Sequence, residues 1–302
     1  MFKKTLLAAA VALAPFGAAQ AATLDAVSLL QQFGLITTGN VTVGALKVHG
    51  RALIGGSLTG NFAEVNNGNI DAKVASDFDE LVLGSATSGT KVRVNNNGSA
   101  SYNGAPSELY AKVKSTPAIA PENYAAILDA FAADLGAMSA TASATKVGGN
   151  GLSFNASSTG GVTVYDMTAA DFQNRDISLA LNGADLVVIN VSGTGTFNVL
   201  SNFNFDATLA KNVIWNLSGF SSVNLQRSVK GQVLAGGMAV NFNSDIEGTL
   251  YAGTVQAGAQ LHIQTLDYEV PPPVSQVPVP ATLPLLLAGA GAFAVLRRRR
   301  RA

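Results

Sequence analysis

The chain has 302 residues with 19 basic and 19 acidic side chains, only 13% charged residues and no cysteine. The missing thiols exclude disulfides, thiol chemistry and cysteine-based zinc sites, so packing and hydrogen bonds alone must hold the fold. Setting aside Lys3, Lys4 and the five arginines near the C-terminus leaves 12 basic against 19 acidic residues, a formal charge of −7. A body of that sign argues against nucleic-acid binding and against adsorption to anionic lipid.

The first residues combine a charged start (Lys3, Lys4), an apolar core from Leu6 to Gly17 and the small-residue triplet Ala19-Gln20-Ala21. This order predicts a signal peptide over residues 1–21, cleaved at the Ala19/Ala21 site. Export would then require the Sec machinery and a signal peptidase.

From Thr23 to Phe33, Leu24, Val27, Leu29, Leu30 and Phe33 fall on one helical stripe, with Gly34 as the expected stop. A second amphipathic helix is predicted after Pro121, where Tyr124, Ile127, Leu128, Phe131, Leu135 and Met138 recur at helical spacing. Its apolar face is expected to pack on the chain's own β-core. Everything else in residues 22–268 is rich in Gly, Asn, Ser, Thr and Val, a mixture that favours β-strands and tight turns.

A repeat marks the end of this region. Val223, Leu225, Val229, Gly231, Leu234, Ala235 and Gly236 recur seventeen residues later as Val240, Phe242, Ile246, Gly248, Tyr251, Ala252 and Gly253. One step earlier, Leu217 and Gly219 are expected in register with Leu234 and Gly236. Short strands with glycine corners at a fixed period predict stacked coils. The expected fold is mainly β, a right-handed β-solenoid with one long flanking α-helix. The alternative is an antiparallel β-sandwich whose hairpins imitate a repeat.

Chemistry-bearing residues are sparse. Asp77 and Asp79 would share one face if Asp77–Glu80 were a strand, and they are weak metal candidates, because a Ca²⁺ needs 6–8 oxygens. Asp245 and Glu247 read as outward charges on a coil. His49 and His262 lie far apart in the chain with no metal spacing. No G-x-S-x-G elbow occurs, and Gly148–Gly151 reads as a turn and not a phosphate loop. No catalytic residue and no cofactor are assigned, and the chain is not expected to be an enzyme. Thr163, Thr194 and Thr196 form no ladder at the seventeen-residue period, whereas Asn224, Asn241 and Asn243 occupy outward positions of the repeat.

A Pro-rich linker spans residues 269–276. Residues 277–302 then hold Val277-Pro278-Val279-Pro280-Ala281, an apolar run from Thr282 to Leu296, and Arg297, Arg298, Arg299, Arg300 and Arg301. Arginines beside a membrane segment stay on the cytoplasmic side, which places the preceding chain outside. The run is shorter than the roughly 20 residues of a stable span, so it suits a tether held in the membrane until it is cut; a retained anchor is the alternative.

Motif, apolar segment and arginine stop resemble the VPxPA class of PEP-CTERM-type sorting signals, with Val279 where the family commonly has Leu. The resemblance implies an exosortase-type membrane protease as partner and a Gram-negative surface or matrix as destination. The segments Leu35–Asn40, His49–Gly56 and Asn212–Asn216, with the Gly231 and Gly248 coils, resemble the choice-of-anchor A domain. That resemblance implies a surface protein acting as an adhesin in a biofilm matrix. Binding or cleavage of extracellular polysaccharide, and ice binding, are the alternatives.

Overall fold

The computed structural model describes residues 25–269, apart from 69–73, 86–88, 105–107 and 158–159. The chain divides into a compact unit, Met1–Tyr268, and a second unit, Glu269–Ala302. The signal-peptide residues Ala19 and Ala21, the motif Val277–Ala281 and the arginines Arg297–Arg301 lie outside the described residues.

The first unit is a stack of parallel coils, not a sandwich. Among the described residues pairing is parallel except where Thr145–Val147 meets Gly151–Asn155 in a hairpin turned at Gly148–Asn150. Each coil of the later half carries three runs. In the strand Leu186–Val199, the first half is buried on both sides and the second alternates exposed and buried. Val213–Leu225, Gln232–Phe242 and Leu250–Ala257 repeat that change. The third run supplies short strands such as Val229–Lys230, Ile246–Glu247 and Gln260–His262.

Register confirms the repeat and corrects one part of it. Val223 pairs with Val240, Leu225 with Phe242, Leu234 with Tyr251 and Ala235 with Ala252. Leu234, however, pairs with Asn216 rather than Leu217, because the strands slip by one residue between Asn216 and Ser222. The slip sits at the corner glycine Gly219, whose φ is +81° and whose added Cβ would lie 2.3 Å from the Gly193 carbonyl oxygen. An L-residue is therefore excluded there both by conformation and by space.

The N-terminal coils do not precede this stack in space. Leu35–Thr37 pairs with Leu250–Ala252, and Val41–Val43 pairs with Val255–Ala257. The chain thus begins in the middle of the solenoid, builds coils outward to Val113–Ser115, and returns to the opposite end at Val162–Thr168.

The returning segment includes the long helix α2 (Tyr124–Ala137). The first helix, α1 (Ala26–Gln32), is capped by Asp25 and ends at Phe33, which starts a strand. Gly34 is consequently a buried strand residue and not a helix stop. Both helices cover the first run of the coils, where Ile36, Leu53, Leu234 and Tyr251 pack beneath Leu29, Leu30, Leu128 and Leu135. Two-sided burial explains the continuous apolar strands on this face.

Helix α2 crosses the coils like a strap. The Tyr124 hydroxyl donates to Thr37 O (3.0 Å), Tyr251 to Asp129 Oδ1 (2.8 Å), Asn216 to Ala132 O (2.9 Å) and Asn190 to Leu135 O (3.0 Å). Eleven helical residues rise about 16 Å, close to the about 19 Å of the four strand steps beneath them. Burial and the Asp129 carboxylate hold the Tyr251 phenol above its ordinary pKa, so it remains a donor.

Candidate functional site: the uncovered face

Helices cover the first run, while the second run is uncovered. Along it, inward Val223, Val240 and Val255 fill the core, and every other side chain points out. Because the strands are parallel and in register, equal positions stack into rows.

One row joins Thr196, Ser222, Ala239 and Thr254. A second joins Asn198, Asn224, Asn241, Gln256, Thr42 and Thr59 across six strands. At about 4.8 Å per strand this second row extends about 24 Å. It also crosses the seam between the two halves of the chain.

The rows are organised by hydrogen bonds among themselves. Thr196 Oγ1 and Ser222 Oγ are 2.8 Å apart, and Asn224 Nδ2 donates to Asn198 Oδ1 at 2.8 Å. Thr42 and Thr59 hydroxyls lie 3.4 Å apart, and beside the rows Asn40 Oδ1 accepts from Ser57 N at 2.9 Å. A shallow groove between the rows is lined by Ser222, Asn224, Asn241, Thr254 and Gln256. Neither row contains a charged residue. The face can therefore offer many neutral hydrogen-bond donors and acceptors.

The threonines form no ladder at the seventeen-residue period. Thr196 does belong to a hydroxyl row, but the steps to Ser222, Ala239 and Thr254 are 26, 17 and 15 residues. A fixed-period search cannot align them. Asn224 and Asn241 do face outward, as the repeat predicts.

Asp77 and Asp79 do not share a strand face, since Asp77–Glu80 forms a bend in which Phe78 N donates to Ser76 Oγ at 3.1 Å. Glu80 instead accepts from Ser99 N and Oγ at 2.8 and 3.1 Å. Among the described residues no group of three or more His, Asp or Glu side chains is arranged to hold a metal ion.

The structure does bring together residues that are distant in sequence. His49 and His262 meet at the seam with ring centres 4.4 Å apart. His49 Nε2 lies 3.3 Å from Gln260 Oε1, and His262 Nε2 lies 3.4 Å from Asp245 Oδ2 and 3.9 Å from Glu247 Oε1. Asp245 also accepts from Gln260 N at 3.0 Å, so the Asp245/Glu247 pair anchors this seam and is more than a solvated charge. Burial, reinforced by His262, lowers the His49 pKa; the Gln260 contact and the Glu247 and Asp245 carboxylates only partly offset this.

With this geometry, comparison with known proteins places the chain in a class of adhesive surface domains. Residues 26–263 match the family described as "Putative Ice-binding-like adhesive domain", and the chain belongs to that family. Residues 276–301 match the PEP-CTERM protein-sorting motif, which implies processing by an exosortase-type membrane protease.

No curated protein matches the chain. Among solved structures it is similar to an ice-binding protein from the Antarctic ascomycete Antarctomyces psychrotrophicus. That likeness has 12% identity and a TM-score of 0.39, and covers 79% of this chain and 98% of the other. An ice-binding protein from an Antarctic biological consortium shows 17% identity, coverage of 78% and 90%, and a TM-score of 0.37. The ice-binding protein 1 domain of Shewanella frigidimarina shows 14% identity, coverage of 81% and 97%, and a TM-score of 0.30. Among the described residues no helix is long and apolar enough to cross a membrane, and the apolar run Thr282–Leu296 lies outside them.

Proposed function

We propose that the mature protein is a non-enzymatic adhesin, delivered to the surface or biofilm matrix of a Gram-negative cell, and that it adheres through the uncovered face. The sorting motif supports the delivery, and the family supports the adhesive role. The choice-of-anchor A resemblance, an ectodomain joined to a surface by a C-terminal signal, supports the same reading. The single observation that carries the choice of face is the pair of uncharged hydroxyl and amide rows, the amide row running across the seam.

The favoured target is extracellular polysaccharide. Amide side chains dominate the longer row, and they can donate to and accept from sugar hydroxyls at once. The second reading is ice, supported by the shorter row of Thr196, Ser222, Ala239 and Thr254 repeated at the strand spacing.

Two measurements test this. The intact mass and cell fraction of the mature protein from its host should show loss of the tail beyond Val277–Ala281; a retained tail in the inner membrane would contradict the sorting step. Purified protein should bind host matrix polysaccharide and leave ice growth unaltered. Thermal hysteresis without polysaccharide binding would replace the favoured target with ice.

A further inference from the structure

The solenoid ends differ. At the later end, residues Thr141 and Ala142 close over Val164 through backbone hydrogen bonds of 2.9 and 3.2 Å, and aromatic rings fill the interior. At the other end, among the described residues, the strand Val113–Ser115 pairs only with Ser99–Tyr102, and Glu108–Tyr110 only with Lys91–Val94. Their outer edges are uncovered by other strands.

Charge collects at this end. Lys91, Arg93, Lys112 and Lys114 are four of the twelve basic residues of an otherwise acidic ectodomain. Lys91 is 3.7 Å from Glu108, while Lys47 and Arg93 share Glu64 at 4.0 and 3.8 Å. Lys112 and Lys114 have no acidic partner among the described residues and are both exposed. Tyr110, the direct register neighbour of Arg93, is 57% exposed. An open groove here is lined by Arg93, Asn95, Asn97, Tyr110, Lys112 and Lys114.

Edge lysines alone have a simpler use, because they discourage strand-to-strand aggregation. That use does not account for a solvent-facing ring set beside a guanidinium and a run of amides. A large apolar ring left in water gains from being covered.

We propose that this groove is a second binding site that takes acidic polysaccharide. The cations would receive sugar carboxylates, the asparagines sugar hydroxyls, and the Tyr110 ring the apolar face of a pyranose. Four cations partly offset by Glu64 and Glu108 give too weak a field for duplex DNA, which carries a charge about every 1.7 Å. The inference is independent of the uncovered face, which has no charge.

The test is affinity electrophoresis of the mature protein in gels containing polygalacturonate or neutral dextran. Polygalacturonate should retard the protein, high salt should abolish the retardation, and dextran should have little effect through this site. Replacing both lysines (Lys112→Gln with Lys114→Gln) should weaken binding about fivefold, the sum of two exposed charge contacts. Tyr110→Ala should weaken it by a similar factor, with unchanged circular dichroism in each variant. The open-face variant Asn241→Ala should retain full retardation, which separates this site from the adhesive face. Dextran retardation that the lysine and Tyr110 variants weaken as much as they weaken polygalacturonate retardation, undiminished retardation of both charge and ring variants, or preference for DNA or anionic vesicles over polygalacturonate would overturn the proposal.

Discussion

The coils at the two ends of the later half are built to different widths and filled with different side chains. Between Val187 and Val213 one turn takes 26 residues, and its interior holds Phe154, Phe172, Phe197, Phe203 and Trp215 in edge-on and stacked contacts of 5.2 to 6.3 Å. Between Val240 and Val255 one turn takes 15 residues, and the interior is Val, Ile, Leu and Ala with Phe242. A longer coil encloses a larger cross-section, and only rings fill it at native packing density. The narrow coils need no such filling.

The largest expected effect comes from the wide coils. Trp215→Ala removes ring contacts to Phe154, Phe172 and Phe203 and the 2.8 Å bond from its indole to Lys230 O. It should cost about 3–5 kcal/mol in denaturant unfolding. Val240→Ala in a narrow coil deletes two methyl groups and should cost about 2 kcal/mol. Similar losses for both would break the distinction between ring-filled and aliphatic coils.

A smaller effect of opposite sign is expected at Tyr165, whose ring packs on Phe154 at 5.0 Å and whose buried hydroxyl has no partner among the described residues. Tyr165→Phe removes an unsatisfied donor and should stabilise the fold by about 1 kcal/mol. A destabilised variant would mean that this hydroxyl is satisfied in solution.

The smallest effect lies at the seam. The folded state holds the His49 pKa below its ordinary 6.5, so as pH falls the unfolded chain takes up that proton first. Stability from this group is present above 6.5 and is lost as pH drops through 6.5 toward the folded value. His49→Gln should flatten that part of the pH profile of the melting temperature, and an unchanged slope would remove His49 as its source.

What the sequence made legible follows from these widths. Val223 and Val240, or Leu225 and Phe242, could be matched because consecutive narrow coils share corners and length. The row from Thr196 to Thr254 could not, because it crosses from a wide coil into narrow ones. The meeting of His49 with His262 was hidden for a topological reason, since the first coil stacks on the last and not on the second half's beginning. Helix α2 was readable from its apolar stripe, but its role as a strap depends on Asn190 and Asn216, polar residues whose value appears only when the helix lies over them.

The most direct test of adhesion through the uncovered face is retention of host cells on a surface coated with their own matrix polysaccharide. The strain to compare carries Asn224→Glu and Asn241→Glu, which place two carboxylates in the amide row while leaving the core residues Val223 and Val240 intact. With surface level and processed mass unchanged, retention should fall to that of a strain lacking the gene. Retention equal to wild type would contradict the assignment of this face as the adhesive surface.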